Sequence, residues 1–345
     1  MKIIHVGLGD FGRWWYSTLC EREKTRGDIQ IIAVVDRNPD ARQHVQPSHF
    51  FATDLTEAIR AQRPDFVLNA TPPASHRVVC EAAFAFNLPV LVEKPISENY
   101  DDVQALLRHA QVGHKLVVSE NYRYFAANRF VREQIHARLQ NITGVSLLFR
   151  RRHIECFGEL ATQNIRHTDL LANNYHTTLA QPMAIDIGTH HIDLLRFFTG
   201  REVLNVHARL FTPAWSWYSA PSRILMTAEM ENGLHFNYEG SMDALPETGW
   251  NGHWTFTAQN GTAVYTDDAL TFHTPDGTQS LPLPTDPTDV SDKNAILDDF
   301  MHYAKTDTPP PTHINDQARV AAILEAILRS AQNNTPVSIP QGGLL

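Results

Sequence analysis

The chain opens MKIIHVGLGDFGRWWYSTLCERE, residues 1 to 23, and the fold turns on how this stretch is read. A short apolar run ends directly in glycine. Gly7, Gly9 and Gly12 then stand in G-x-G-x-x-G spacing ahead of a segment with helical character. Strand, glycine turn and helix in that order form the context that a dinucleotide-binding turn requires. Gly7 would permit the tight turn, Gly9 the close approach of backbone to a pyrophosphate, and Gly12 the close seating of helix on strand. Asp10 and Phe11 open the helix, whose first N–H groups suit an anion. Trp14 and Trp15 read as packing residues rather than stacking platforms.

Outward from this turn, up to about residue 120, strand-like IIHVG, IIAVVD, DFVLNAT, LPVLVE and KLVVSE alternate with segments of helical spacing. That alternation is the pattern of a doubly wound parallel sheet, which binds ligands at the carboxyl ends of its strands. The second of these strands ends at Asp36, whose carboxylate can accept hydrogen bonds from an adenosine ribose and would repel an added phosphate. NAD is therefore expected, with NADP the alternative because Arg37 could pair with that phosphate. ATPPASH follows the third strand; Thr71, Pro72 and Pro73 turn the backbone out at the sheet edge and His76 comes next. LPVLVEKPIS, residues 88 to 97, ends an apolar run abruptly in Glu93, Lys94 and Pro95.

Beyond residue 120 the period changes. YFAANRFVREQIHARLQ reads as an amphipathic bridging helix ended by Asn141 to Gly144. EVLNVHARLF, RILMTAEM and GLHFNYEGSM alternate apolar and polar residues, and HWTFTA, TAVYTD and ALTFHT follow with turn signals at Asn260-Gly261 and Asp267-Asp268. The second half is thus expected to be a largely antiparallel open sheet, with one face wet or used in a homodimer or homotetramer. Two helical segments, DKNAILDDFMHYAK and DQARVAAILEAILRSAQ, close the chain around the stiff loop TDTPPPTH. A length of 345 residues favours two domains, taken as 1–120 and 121–345, with the helix near 315–332 returning to the first.

One more constellation is AIDIGTHHIDLLRFFTG. Helical spacing places Asp186 and His190 one turn apart, where a carboxylate can orient an imidazole, and makes Leu194, Leu195, Phe197 and Phe198 the anchoring side. Taken in order, GLGDFG, the Glu93-Lys94-Pro95 triplet, NYRY at Asn121 to Tyr124, D-x-x-x-H at Asp186 and His190, and the terminal RSAQNNTPVSIP resemble the glucose-fructose oxidoreductase, inositol dehydrogenase and rhizopine catabolism family. The resemblance implies an N-terminal Rossmann domain, a C-terminal α/β domain with a large open sheet, and a nicotinamide cofactor. It also implies catalytic roles for Lys94, Asp186 and His190, and cofactor contacts that extend to Glu93, Asn121 and Arg123. Its activities are oxidations and reductions of sugars, polyols and cyclitols, with an NAD-dependent glycosidase or a non-catalytic sensor as rivals. AQPMAID stands where the family often has a glycine cluster, which leaves residues 156–183 the least readable segment.

Composition narrows the partners. A formal net charge of -9 opposes nucleic-acid or polybasic membrane binding, and no window has the length of a membrane span, so a cytoplasmic protein is expected. Cys20, Cys80 and Cys156 are too scattered for a disulfide framework. No metal is expected, because His176, His190 and His191 fix no ligand geometry, and Arg150 to Arg152 read as an ion-paired strand edge.

Overall fold

The computed structural model describes residues 1–152, 179–216, 218, 220–288 and 290–340. Its first sheet is parallel throughout. The strands are β1 (Lys2–Val6), β2 (Gln30–Val35), β3 (Phe50–Ala52), β4 (Phe66–Asn69), β5 (Val90–Glu93) and β6 (Leu116–Ser119), in the spatial order β3-β2-β1-β4-β5-β6. Helices α1 (Asp10–Arg26), α2 (Leu55–Gln62), α3 (Pro73–Phe84) and α4 (Tyr100–Gln111) lie between them in sequence. Every residue of β4, β5 and β6 is buried, as the runs FVLN, VLVE and LVVS require of strands covered on both faces. Strand order reverses between β1 and β4, so a crevice is expected at their carboxyl ends.

The second sheet has nine strands: β7 (Ile142–Arg150), β8 (Val203–Phe211), β9 (Arg223–Met230), β10 (Leu234–Ser241), β11 (His253–Ala258), β12 (Gly261–Tyr265), β13 (Ala269–Thr274), β14 (Gly277–Pro282) and β15 (Val337–Ser338). Their order is β14-β13-β12-β11-β7-β10-β9-β8-β15, antiparallel except where β7 pairs with β10. Alternation decides the faces. In β9, Ile224, Met226, Ala228 and Met230 are buried while Leu225, Thr227 and Glu229 are exposed. The inner face meets helices α5 (Ala126–Arg138) and α6 (Gly188–Thr199), with Phe198 edge-on to Trp254 at 5.3 Å and to Phe256 at 5.7 Å. The expected helix end at Asn141–Gly144 is corrected: α5 stops at Arg138, and left-handed Asn141 leads straight into the central strand β7.

A single cut at residue 120 is also corrected. One compact unit is Met1–Tyr124 with Pro287–Ala321; the other is Phe125–Asp286 with Ala322–Leu345. Helix α7 (Ser291–Lys305) therefore belongs to the parallel sheet, and α8 (Ile314–Asn333) belongs to that unit as far as Ala321. The reason is apolar and ionic together. Ile296, Leu297, Phe300 and Met301 are buried with Trp15, Leu19 and Val117, Phe300 meets Phe66 edge-on at 4.9 Å, and buried Arg22 pairs with both Asp28 and Asp298. Helical periodicity announces such a helix without saying which sheet it will cover.

Candidate functional site

In the first unit the glycine turn is built by exclusion of side chains. Gly7 has φ +95°, and a Cβ there would sit 2.7 Å from the Ala70 carbonyl oxygen; a Cβ on Gly12 would strike the carbonyl of Gly7. Gly9 differs, since its Cβ would meet nothing within 4 Å. The first helical bond of α1 runs from Arg13 N to Gly9 O at 2.8 Å, and no side chain caps this end. The N–H groups of Asp10, Phe11 and Gly12 therefore precede the helical ladder, beside open space. Asp10 itself points away, paired with Arg13 at 2.5 Å.

Asp36, just past β2, fixes this turn from the side. One carboxylate oxygen accepts Leu8 N at 2.7 Å and the other accepts Asn38 N at 2.9 Å, while Arg37 is exposed. After β4, buried Asn69 accepts the Thr71 N–H and hydroxyl at 3.2 and 2.7 Å, and Pro72 and Pro73 start α3. After β5, both Glu93 oxygens are engaged: Trp15 Nε1 donates to one at 2.5 Å and Lys94 N to the other at 2.9 Å. Trp15 is thus packing and holder at once. Lys94 Nζ lies 5.7 Å from the Phe11 ring centroid.

In the second unit, Asp186 does not lie on an α-helix as expected. Pro182–Ile187 is a π-helical turn, closed by the Gly188 N–H donating to Met183 O, and it runs into α6. Such turns reset side-chain direction and recur at functional sites. Asp186 and His190 are 3% and 4% exposed. Nearly all of α6 is buried, so the expected division into a polar face and an anchoring face gives way to a helix enclosed all round. His191 belongs to the core: Tyr238 Oη lies 2.5 Å from Nδ1 and Trp250 O lies 3.2 Å from Nε2, and burial drives its pKa down to about 3.

Residues 1–122 match the model described as an oxidoreductase family with NAD-binding Rossmann fold, and residues 158–264 match the GFO/IDH/MocA C-terminal domain. The chain belongs to the GFO/IDH/MocA family. It is 27% identical over 274 residues to the uncharacterized protein y4oX of Sinorhizobium fredii, covering 76% of this chain and 72% of that one. It is 24% identical to inositol 2-dehydrogenase of an Arthrobacter species, covering 72% of each. Among solved structures, an oxidoreductase from Agrobacterium radiobacter in complex with NAD+, L-tartaric acid and magnesium shares the fold at TM-score 0.82, with 19% identity over 98% of both chains. Levoglucosan dehydrogenase in complex with NADH and levoglucosan shares it at TM-score 0.78, with 17% identity over 99% of this chain and 100% of that one.

NAD is the cofactor of this GFO/IDH/MocA oxidoreductase, and the turn fits it. Open space at Gly9 and an uncapped helix end suit a pyrophosphate, and Asp36 has lone pairs left for a ribose after taking two N–H groups. Other residues expected at the cofactor also hold the fold together. His76 is wholly buried, with Thr71 O 2.7 Å from Nε2 and Pro95 O and Ile96 O 3.1 and 3.2 Å from Nδ1, so it braces the loops carrying Thr71 and Lys94. Burial pushes its pKa down to about 4. Arg123 donates to Asp316 at 2.8 Å and to Pro311 O at 3.2 Å, and Asn121 Nδ2 to Asp292 at 2.7 Å, which fastens the NYRY turn to α8 and α7.

Sequence reasoning missed Glu120. It follows β6 as Lys94 follows β5, and burial raises its pKa to about 7, with Lys94 and Arg123 pulling it down. Equivalent placement at the next strand end was the signal available. His176 and most of the 156–183 segment lie outside the described residues, among which no group of three or more His, Cys, Asp or Glu could hold a metal. Nor is any described helix long and apolar enough to cross a membrane.

Proposed function

We propose that the protein interconverts a secondary alcohol and a ketone of a sugar, polyol or cyclitol with NAD. The carrying observation is the seating of Lys94. It leaves a fully buried strand at the carboxyl edge of the parallel sheet, and its loop is fixed by Glu93 on one side and His76 on the other. Bound NAD supplies the hydride acceptor or donor. In this reading His190 takes the hydroxyl proton, Asp186 orients it, and the Lys94 ammonium stabilises developing alkoxide. The names of the inositol and levoglucosan dehydrogenases to which the chain is similar support the substrate class. A panel of sugars, polyols and cyclitols with NAD and NADP, followed at the nicotinamide absorbance, tests it. Reduction of NAD by one of them is expected. Free sugar released from glycosides without net NADH would assign oxidation and elimination instead, and NADH binding without any turnover would assign a sensor.

We further propose a homodimer or homotetramer formed through the outer face of the nine-stranded sheet. That face carries a concavity of about 660 Å³ lined by Leu148, Arg150, His207, Leu225 and Glu239 among others. An open sheet of this breadth with apolar residues among its charges suits a self-complementary interface. Light scattering should give a dimer or tetramer; a monomer at every concentration refutes it.

A further inference from the structure

Two aromatic rings of α1 each meet an ammonium group from elsewhere in the unit. Phe11 and Trp14 are 40% and 42% exposed, with ring centroids 6.2 Å apart. Lys94 Nζ stands 5.7 Å from the centroid of the first and Lys293 Nζ 3.0 Å from that of the second. Two ammonium groups thus bracket an aromatic pair at a helix end that no side chain caps.

Lys293 is the unexpected member. It comes from the first turn of α7, is 3% exposed, and has the Asp292 carboxylate no nearer than 3.9 Å. Its ammonium carries three protons and makes no hydrogen bond to a described residue. Burial lowers its pKa, Asp292 and Glu93 oppose that, and Lys94 adds to it. The Trp14 ring offsets part of the desolvation through its π face. A ring still supplies no oxygen acceptor, and buried ammonium groups are as a rule both paired and hydrogen-bonded. Asp292 is in any case shared, since the same oxygen accepts Asn121 Nδ2. What completes Lys293 must bring oxygen lone pairs, and an anion would do so with favourable charge.

We infer that Lys293, seated on Trp14, is a binding point for an oxyanion, a phosphate or a carboxylate brought to the edge of α1. This rests on reading that edge as the NAD site. Two sources share the chemistry: the pyrophosphate of NAD, or an acidic group on the substrate, which would make the substrate a sugar acid or sugar phosphate rather than a neutral polyol. In a chain of net charge -9 such an anion depends on local cations, and Lys293 provides one at this edge.

The test uses the full chain and reads binding. Lys293→Met keeps the apolar stem and removes the charge; Lys293→Arg keeps the charge. NADH is titrated by fluorescence, then D-gluconate and 6-phosphogluconate against the NADH complex. The Met variant should weaken one of these roughly 10- to 100-fold, the loss expected for one charge-assisted hydrogen bond, while the Arg variant stays within a few-fold. Loss on NADH assigns the pyrophosphate. Loss on gluconate or 6-phosphogluconate with NADH unchanged assigns the substrate. A folded Met variant with wild-type affinity for all three overturns the inference. Should that variant not fold, the wild type carries the test: inorganic pyrophosphate or gluconate must alter the emission that Trp14→Phe removes, and no change with either overturns it. Wild-type protein that binds no NADH would sink the cofactor reading and the pyrophosphate arm with it, whereas Lys293-dependent gluconate binding would still stand.

Discussion

The two units make their candidate sites from different material. In the parallel-sheet unit the binding edge is mostly backbone: N–H groups at the start of α1, a turn with no room for Cβ at Gly7 or Gly12, and carbonyls gathered around His76. In the other unit the candidates are side chains, Asp186 and His190, enclosed on a π turn and the helix after it. A backbone site needs particular residues to be absent, so its spacing shows in the sequence. A side-chain site needs particular residues in a particular direction, and here an i to i+5 turn sets that direction. The function proposed above gives binding chiefly to the first design and chemistry to both.

The largest expected effect tests that division. Lys94→Ala and His190→Ala should each lower kcat by about 10²- to 10⁴-fold, as removal of electrostatic or acid–base groups does, while NADH affinity moves by less than about threefold. The double variant should be little slower than either single one if the two act as a unit. Near-normal turnover of His190→Ala would break the comparison, because the second unit would then contribute no chemistry.

Next in size is a contrast inside the glycine turn. Gly12→Ala drives a methyl into the Gly7 carbonyl, backbone against backbone, and should cost roughly 2–4 kcal/mol in urea unfolding of the first unit. Gly9→Ala meets open space at φ -63° and should cost under about 1 kcal/mol, yet weaken NADH about tenfold by occupying the approach to the pyrophosphate. Equal stability losses at the two positions would show that the turn is a structural corner and nothing more.

These results bear on what the sequence made legible. The parallel sheet could be read because its strands are continuous apolar runs and its glycines are spaced by sterics; strands such as β9 and β10 could be read because buried and exposed side chains alternate along them. Three things could not. Helix α7 carries an apolar stripe that would suit either sheet, and its attachment through Arg22 and Asp298 joins residues 276 positions apart. His76 reads as a cofactor contact in ATPPASH, and its burial against three carbonyls shows only in the fold. Asp186 and His190 sit four apart in a pattern that spacing alone assigns to one α-helix, although Asp186 lies in the π turn and only His190 on the α-helix that follows.

Acid should expose a property the two units share. His5, His76 and His191 are fully buried, with pKa values driven by burial from the ordinary 6.5 to about 4, 4 and 3. Each is neutral when folded, and the unfolded chain binds the extra protons first. Their stability contribution is therefore complete above pH 6.5 and is lost as pH falls toward 4, by about 1.4 kcal/mol per pH unit for each histidine. Two of the three lie in the parallel-sheet unit and one in the other. Urea midpoints should fall across pH 6.5 to 4 for both units, with the steeper slope in the first; His191→Gln should flatten only the second. Glu120 works in the opposite sense, since its raised pKa of about 7 removes stability as pH rises from 4.5 through 7. It offsets part of the acid slope in the first unit, and Glu120→Gln should steepen it.

The smallest expected effect concerns Asp36, where backbone and side-chain designs meet. The carboxylate fixes the glycine turn through Leu8 N and Asn38 N, and it would also repel the extra phosphate of NADP. Two like charges a few ångströms apart at a protein surface interact by about 1–3 kcal/mol, so NADH should bind roughly tenfold or more tightly than NADPH. Asp36→Ala should narrow that ratio, yet it also removes both acceptors, so a narrowed ratio alone would not separate repulsion from a loosened turn. Asp36→Asn makes the separation. Its amide oxygen can still accept Leu8 N or Asn38 N while the charge is gone. If repulsion sets the preference, the Asn variant should lose as much of it as the Ala variant while keeping more of the wild-type urea midpoint. If the Asn variant keeps the full preference for NADH, the shape of the turn sets it, and cofactor choice in this unit would be a property of the backbone as well.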